Sequence, residues 1–222
     1  MNRKTGNNSS EKPVLVKIGR ITLEGDLALP DSTRGIVLFA HGSGSSRLSP
    51  RNRFVAKYLQ NQGLGTLLFD LLTKGEEQED NYTMRLRFDI DLLASRLSDV
   101  TAWLASQKET QNLAVGYFGA STGAAAALVA ETKNSGVVKA IVSRGGRPDL
   151  AGPALHNVHA PTLLIVGGND EQVIELNEIA MRRLSSVKKL VIVPGATHLF
   201  AEPGTLESAA NLASQWFLQY LS

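Results

Sequence analysis

The chain has 222 residues, of which 43% are hydrophobic and 20% are charged, and it contains no cysteine. This composition excludes a disordered, fibrous or disulfide-stapled protein, and the missing thiol excludes a cysteine nucleophile. The formal charge is +2 and the basic residues are scattered, so no nucleic-acid partner is predicted. No apolar run is long enough to span a bilayer, so we expect a soluble, cytoplasmic protein without membrane contact.

Residues 1–12 are rich in Asn, Ser, Lys and Thr. Such a segment cannot bury enough apolar area to offset the entropy of ordering, so we predict a flexible tail. Residues 13–222 contain no linker-like stretch and are expected to form one domain. Within it, the alternating segments 14–18 and 21–29 predict an antiparallel hairpin at the edge of a sheet.

From residue 36 onward, short continuous apolar runs alternate with helical patterns, which is typical of parallel strands buried on both faces. The runs cover 36–40, 66–69, 113–118, 138–142, 162–166 and 190–193. Shorter helices are predicted at about 51–62, 122–133, 171–184 and 205–220. The longest predicted helix carries on one face Leu86, Ile90, Leu93, Leu97, Val100 and Leu104. The pattern predicts an α/β fold, a doubly wound and mostly parallel sheet of about eight strands.

The third apolar run leads into Gly119-Ala120-Ser121-Thr122-Gly123, and a helical pattern follows. This is the G-x-S-x-G arrangement of a nucleophile elbow, in which a strained strand-to-helix turn presents the serine oxygen outside the sheet. Glycines flank the serine because side chains there would crowd the backbone. The amide of Thr122, at the helix N-terminus, is expected to face a developing oxyanion. Ser121 is therefore the candidate nucleophile.

An acid and a histidine follow the last two apolar runs, Asp170 after the fifth and His198 after the sixth. A carboxylate that accepts a hydrogen bond from Nδ1 of the histidine fixes the tautomer in which Nε2 takes the serine proton. Asp149 follows the preceding strand and is the competing acid, and Asp170 has the alternative role of a helix N-cap. We predict a triad of Ser121, Asp170 and His198, which would form an acyl-enzyme that water hydrolyses.

The first parallel strand is followed by the loop 41–46, His-Gly-Ser-Gly-Ser-Ser. Its small residues allow backbone amides to turn toward a bound carbonyl, and the Ser43 amide is the predicted second oxyanion donor beside Thr122, with Gly44 as the alternative. A phosphate-binding loop is the other interpretation, but the G-K-[ST] ending is missing. His41 is expected to buttress the loop.

In this order, the motifs HGSGSS, GASTG, GGND and GATH resemble those of the α/β-hydrolase superfamily over residues 14–221. The chain is most similar to the small, capless dienelactone hydrolase-like branch. The resemblance implies an α/β-hydrolase fold without a cap domain, and hydrolysis of small-molecule esters or lactones with no cofactor and no metal. Dienelactone hydrolases proper carry cysteine in the elbow, so Ser121 favours a serine carboxylesterase. The alternatives are a thioesterase or acyltransferase with the same triad, or a non-catalytic binding protein on a hydrolase scaffold.

Further charged residues lie near the predicted site. Arg144 and Arg147 follow the fourth apolar run and are candidates to clamp a substrate carboxylate, the alternative being solvated or paired arginines. The acidic run 76–80 is interpreted as a solvated loop. The surrounding segment 71–84 is the one connection long enough to fold over the site as a partial lid. The sequence gives no indication of the oligomeric state.

Overall fold

The structure is a computed structural model that describes residues 11–221. Most of the predicted flexible tail, residues 1–12, lies outside the described residues. The first strand begins at Glu11, two residues before the predicted start of the domain, because Glu11 pairs with Ala28 in the hairpin. No helix of the described range is both long and apolar enough to cross a membrane.

Eight strands of the described range form one sheet in the order β1-β2-β4-β3-β5-β6-β7-β8. They cover Glu11–Ile18, Ile21–Ala28, Gly35–Ala40, Gly65–Phe69, Ala114–Ala120, Val138–Arg144, Thr162–Gly167 and Lys188–Val193. β1 and β2 form an antiparallel hairpin, β2 pairs antiparallel with β4, and the pairs from β4 to β8 are parallel. The predicted doubly wound sheet with an N-terminal hairpin is confirmed. The carboxyl ends of β3 to β8 therefore meet at one edge.

The described range contains six α-helices, five of which lie between strands, while the sixth follows β8. They are α1 Pro50–Asn61, α2 Lys74–Thr83, α3 Ile90–Ser106, α4 Thr122–Lys133, α5 Glu171–Arg183 and α6 Thr205–Tyr220. The four shorter helices predicted from the sequence are present to within one residue at each end. The longest helix begins later than predicted, because Leu86 lies in a separate 3₁₀ turn, Leu86–Phe88. Asp89 starts α3 by accepting a hydrogen bond from the Leu92 amide at 3.0 Å.

The acidic segment predicted as a solvated loop is instead helix α2. Its N-terminus is a capping box: the Thr73 hydroxyl accepts from the Glu76 amide at 3.2 Å, and the Glu76 carboxylate accepts from the Thr73 amide at 2.7 Å. At the other end Asp80 accepts from the Leu86 amide at 2.7 Å. These local bonds stabilise a helix that lacks the apolar periodicity by which the other helices are recognised.

The core has two layers, one on each face of the sheet, because successive side chains of a strand point to opposite faces. Leu38 and Tyr117 are buried in the layer that holds α3 and α4. Their neighbours Phe39 and Phe118 are buried in the layer of α1 and α6, with ring centroids 4.9 Å apart. With both faces covered, the carboxyl edge of the strands is left for a site.

The absence of a cap domain, predicted from the sequence, is confirmed over residues 11–221. The connection from β6 to β7 contains a single 3₁₀ segment, Pro148–Asn157, with a kink at Gly152. This segment packs against α4 and α5. The connection from β6 to β7 therefore supplies no cap over the carboxyl edge of the described sheet.

Candidate active site

Ser121 occupies a strained turn between β5 and α4. Its backbone has φ 51° and ψ −124°, a conformation that L-residues rarely adopt and that commonly marks functional sites. The flanking glycines are required by space: a Cβ on Gly119 would lie 2.4 Å from Cα of Ala124, and one on Gly123 would lie 2.1 Å from the carbonyl oxygen of Ala40. The close approach of α4 to the sheet therefore permits only glycine on either side of the elbow.

The predicted acid and base are brought together at the carboxyl edge of the sheet. Asp170 follows β7 and His198 follows β8, and Nδ1 of His198 lies 2.7 Å from Oδ2 of Asp170. His198 lines the same cleft as Ser121. The Asp170 side chain makes no capping hydrogen bond to α5, so its contact with His198 is the one that explains its position. The arrangement has the order of a hydrolytic triad.

The carboxylate of Asp149, the competing acid, pairs with Arg147. Its carboxylate accepts two hydrogen bonds from Arg147, from Nε at 2.9 Å and from Nη2 at 2.8 Å. This bidentate pair sits at the start of the 3₁₀ segment after β6. Neither Asp149 nor Arg147 lines the cleft that contains Ser121. The geometry therefore supports Asp170 over Asp149 as the partner of His198.

The predicted oxyanion donors are adjacent to each other. Thr122 is the first residue of α4, where a backbone amide has no acceptor within the helix. The Ser43 amide, predicted as the second donor, is engaged: it donates to Oγ1 of Thr122 at 2.9 Å. The loop of Ser43 is held in a tight turn by a bond from the Ser45 amide to the Gly42 carbonyl at 3.1 Å, with Gly44 at φ 66°. The bond between Ser43 and Thr122 was not foreseen from the sequence.

His41 links the loop 41–46, the predicted oxyanion loop, to the segment that follows β4. Its Nε2 accepts from the Leu71 amide at 3.1 Å, so Nδ1 carries the proton and donates to the Gly42 carbonyl at 3.0 Å. Burial lowers the pKa of His41, which keeps the imidazole neutral. The expected buttressing role fits this geometry.

The cleft beside Ser121 has a volume of about 250 Å³ and is small and polar. Arg144 lines it, as predicted for a substrate-binding residue, and is only 6% exposed. Arg147, its predicted partner, is held away by Asp149. Arg51, near the start of α1, lines the cleft instead. Burial, together with the positive charge of Arg51, lowers the pKa of Arg144 to about 10.

Sequence reasoning missed Arg51 because it lies within a helix rather than after a strand. Its signal is its place just beyond the oxyanion loop, at the N-terminus of α1, which points toward the carboxyl edge of the sheet. Among residues 11–221, no group of three or more His, Asp or Glu side chains is arranged to hold a metal ion.

Comparison with known proteins places this geometry in a family. The model of the dienelactone hydrolase family matches residues 23–222. The crystal structure of a dienelactone hydrolase from Anabaena variabilis is 59% identical, covers 96% of this chain and 99% of its own, and has a TM-score of 0.95. Est1E from Butyrivibrio proteoclasticus has a TM-score of 0.76 at 15% identity, over 93% of this chain and 98% of its own, which shows a shared fold.

Two Mycobacterium tuberculosis proteins, from strains CDC 1551 and H37Rv, bear the provisional name phosphoribosyl transferase. Each is 57% identical over 211 residues, which is 95% of this chain and 47% of theirs. The chain thus spans about half the length of the curated relatives it matches. Because the family model covers nearly all of the described fold, and the elbow lies at the edge where this fold binds ligands, the chain belongs to the dienelactone hydrolase family of α/β-hydrolases.

Proposed function

We propose that this protein is a serine hydrolase of small carboxylic esters or lactones that acts through an acyl-enzyme on Ser121. The observation that carries the proposal is the 2.7 Å contact between His198 Nδ1 and Asp170 Oδ2, in a cleft that also contains the strained Ser121. A carboxylate on Nδ1 leaves Nε2 of the imidazole free to take and return a proton.

In the proposed reaction, Oγ of Ser121 attacks the ester carbonyl carbon while Nε2 of His198 takes its proton. Asp170 stabilises the imidazolium, and backbone amides bind the oxyanion. Collapse of the tetrahedral intermediate breaks the bond to the alcohol, which leaves with the proton from Nε2. Water then attacks the acyl-enzyme, again with His198 as base, and release of the acid restores Ser121.

We propose the amides of Thr122 and Ser43 as the oxyanion donors, with Gly44 as the alternative to Ser43. The bond from the Ser43 amide to Oγ1 of Thr122 supports this, because it holds Ser43 next to the residue that follows Ser121. To serve in catalysis, the Ser43 amide must exchange the Thr122 hydroxyl for the oxyanion. A strong, charged acceptor competes well with a neutral hydroxyl.

The size of the cleft favours small substrates. About 250 Å³ is just below the range of about 300–1,000 Å³ that is usual for ligand pockets, and the described residues include no cap that would add apolar surface. Each methylene of an acyl chain that stays in water forgoes about 0.8 kcal/mol of binding. Short-acyl esters are therefore the proposed class.

Thioester hydrolysis and acyl transfer would use the same acyl-enzyme and are the nearest alternatives. The name of the Mycobacterium tuberculosis relatives describes a transferase, and this chain matches 47% of their length. We propose that the matched half supplies acyl chemistry, because its elbow and triad are built for attack on a carbonyl carbon. A non-catalytic role on the same scaffold is disfavoured by the strained turn at Ser121 and by the contact between His198 and Asp170 in the same cleft.

The proposal is tested by labelling with a fluorophosphonate probe, which reacts with activated serines. Ser121 should be the single labelled residue, and Ser121→Ala should abolish labelling and lower ester hydrolysis by about 10⁴-fold or more. A panel of esters, lactones and thioesters with the same acyl group ranks the substrate classes. Labelling that persists in Ser121→Ala would disprove the assignment of the nucleophile.

A further inference from the structure

Two arginine side chains face the cleft of Ser121 without an acidic partner among residues 11–221. Arg144 ends β6 and is 94% buried, and Arg51 is the second residue of α1. The Nε atoms of both are buried and have no hydrogen-bond partner in the described structure. Both side chains line the cleft together with Ser121 and His198.

Neighbouring arginines are paired, which sets these two apart. Arg53, on the same helix as Arg51, lies 2.6 Å from Glu11, and Arg47 lies 2.8 Å from Glu24. Within the described residues, the salt bridges of arginine involve neither Arg51 nor Arg144. Glu11 and Glu24 are thus engaged by other arginines, and neither lines the cleft.

An unpaired buried guanidinium is costly because it loses hydration without gaining a counter-charge. This cost is reflected in the lowered pKa of Arg144. Burial is the larger cause, and the positive charge of Arg51 is the second. The Phe200 ring, whose centroid lies 5.6 Å from Cζ of Arg144, offsets part of it. A protein that keeps one buried and one partly buried arginine unpaired in the same cleft is organised to receive an anion.

The remaining lining of this part of the cleft also suits an anion. No Asp or Glu is among the residues that line the cleft. Ser45 and Ser49 contribute hydroxyl groups, and Ser49 is the N-cap of α1, so the positive end of that 12-residue helix faces the same space. Positive charge, hydroxyl donors and a helix N-terminus therefore converge close to the nucleophile.

We propose that the cleft selects esters that carry a phosphate monoester group, bound by Arg51 and Arg144 while the ester carbonyl lies at Ser121. This inference rests on the proposed hydrolase function and deepens it. A phosphate near charge −2 neutralises both guanidinium groups, and its three oxygens match two arginines plus hydroxyl donors. A carboxylate neutralises only one of the two cations. The charge of the site therefore favours a dianion.

The test compares three acetate esters that differ in one group: 2-acetoxyethyl phosphate, 3-acetoxypropionate and the neutral 2-hydroxyethyl acetate. In the wild type, kcat/KM should be about 10²-fold higher for the phosphate than for the neutral ester, and at least about tenfold higher than for the carboxylate. A neutral ester within about threefold of the phosphate, or a carboxylate that equals it, would overturn the proposal.

Substitutions of single arginines show which side chains produce the preference for the phosphate ester. Arg144→Met, which keeps an apolar contact for Phe200, and Arg51→Met should each reduce the preference for phosphate over the neutral ester to about tenfold or less. Arg147→Met should keep the wild-type preference, since Arg147 pairs with Asp149 outside the cleft. Arg144→Met should also raise Tm in phosphate-free buffer, because it removes an unpaired buried charge. If Arg144→Met does not fold, Arg51→Met, at a partly exposed position, decides the outcome.

Binding of inorganic phosphate separates this proposal from the proposed reaction. Calorimetric titration of Ser121→Ala with phosphate should give a measurable Kd that is lost when Arg51→Met or Arg144→Met is added. If phosphate binds in this way but no ester is hydrolysed, the anion site stands and the proposed function fails. If Ser121-dependent hydrolysis is present without phosphate binding, the anion proposal is wrong.

Discussion

The Ser43 amide donates a hydrogen bond to Oγ1 of Thr122 at 2.9 Å, so the loop 41–46 after β3 is tied to the residue that follows Ser121, the proposed nucleophile. The amides of Ser43 and Thr122 are the two predicted oxyanion donors. In the free protein, however, the Ser43 amide is already bonded to the Thr122 hydroxyl. The free enzyme thus satisfies an amide that the reaction is proposed to use.

Thr122→Val tests that exchange. The substitution keeps the shape of the side chain and removes the acceptor, so the Ser43 amide no longer has to give up a bond worth about 0.5–1.5 kcal/mol when the oxyanion forms. We expect kcat to rise by about two- to tenfold, measured on a short-acyl ester. Thr122→Ser keeps the hydroxyl and should stay near the wild type. A fall of about 10²-fold in Thr122→Val alone would show that the hydroxyl positions the loop.

Asp170→Asn tests the acid of the proposed triad. An amide beside Nδ1 of His198 stabilises the wrong imidazole tautomer, and we expect kcat to fall by about 10⁴-fold without loss of folding. The matched control is Asp149→Asn, which breaks only the ion pair with Arg147 and should retain most activity. Circular dichroism checks folding of both variants. A larger loss of kcat in Asp149→Asn would assign the acid to that residue instead.

Chain-length dependence tests the open cleft. Across p-nitrophenyl esters from acetate to palmitate, kcat/KM should be highest for short acyl groups, because no cap buries the longer chains. The rate should also show no jump as the substrate passes its solubility limit. Ser121→Ala supplies the background rate for each ester. A maximum at long chains, or activation by an emulsion, would reveal an apolar acyl site.

Asp80→Asn tests how much the hydrogen bonds between α2 and the 3₁₀ turn before α3 contribute to stability. The buried carboxylate accepts from the Leu86 amide at 2.7 Å and from Nε of Arg87 at 2.6 Å. Asparagine would place an amide donor against Arg87, so we expect a loss of about 1–3 kcal/mol of unfolding free energy at pH 7. Urea unfolding measures the loss. Glu79→Gln, at an exposed position of the same helix, should change stability by less than about 0.5 kcal/mol.

Comparing the wild type with Asp80→Asn at different pH values tests whether the charge of Asp80 contributes to stability. Desolvation raises the pKa of Asp80, but hydrogen bonds from Arg87 and Leu86 outweigh it and hold the pKa below the ordinary value of 3.8. A depressed carboxyl pKa contributes stability above the unfolded pKa and loses it as the pH falls through the folded value. The difference between wild type and Asp80→Asn should therefore shrink below about pH 3.8. A difference that stays constant to pH 2 would show that the charge of Asp80 contributes nothing.

The sequence alone determined the order of the strands and the positions of the candidate site residues after them. Buried parallel strands appear as continuous apolar runs, and their carboxyl ends must meet at one edge, so Ser121, Asp170 and His198 could be predicted as a triad from their places after strands. The glycines that flank Ser121 were recognisable because the G-x-S-x-G spacing follows one of these strands. These features depend on periodicity and chain order, which are local properties.

Only the tertiary structure decided which neighbours pair with one another. Arg144 and Arg147 both follow the same apolar run in the sequence, but Asp149 pairs with Arg147. Arg144 lies over the Phe200 ring and lines the cleft together with Arg51. Helix α2 carries no apolar stripe, and its capping box and the contacts of Asp80 are side-chain bonds that hydrophobic periodicity does not reveal. The pairing of charges and hydrogen bonds depends on distances between residues far apart along the chain, and folding alone sets those distances.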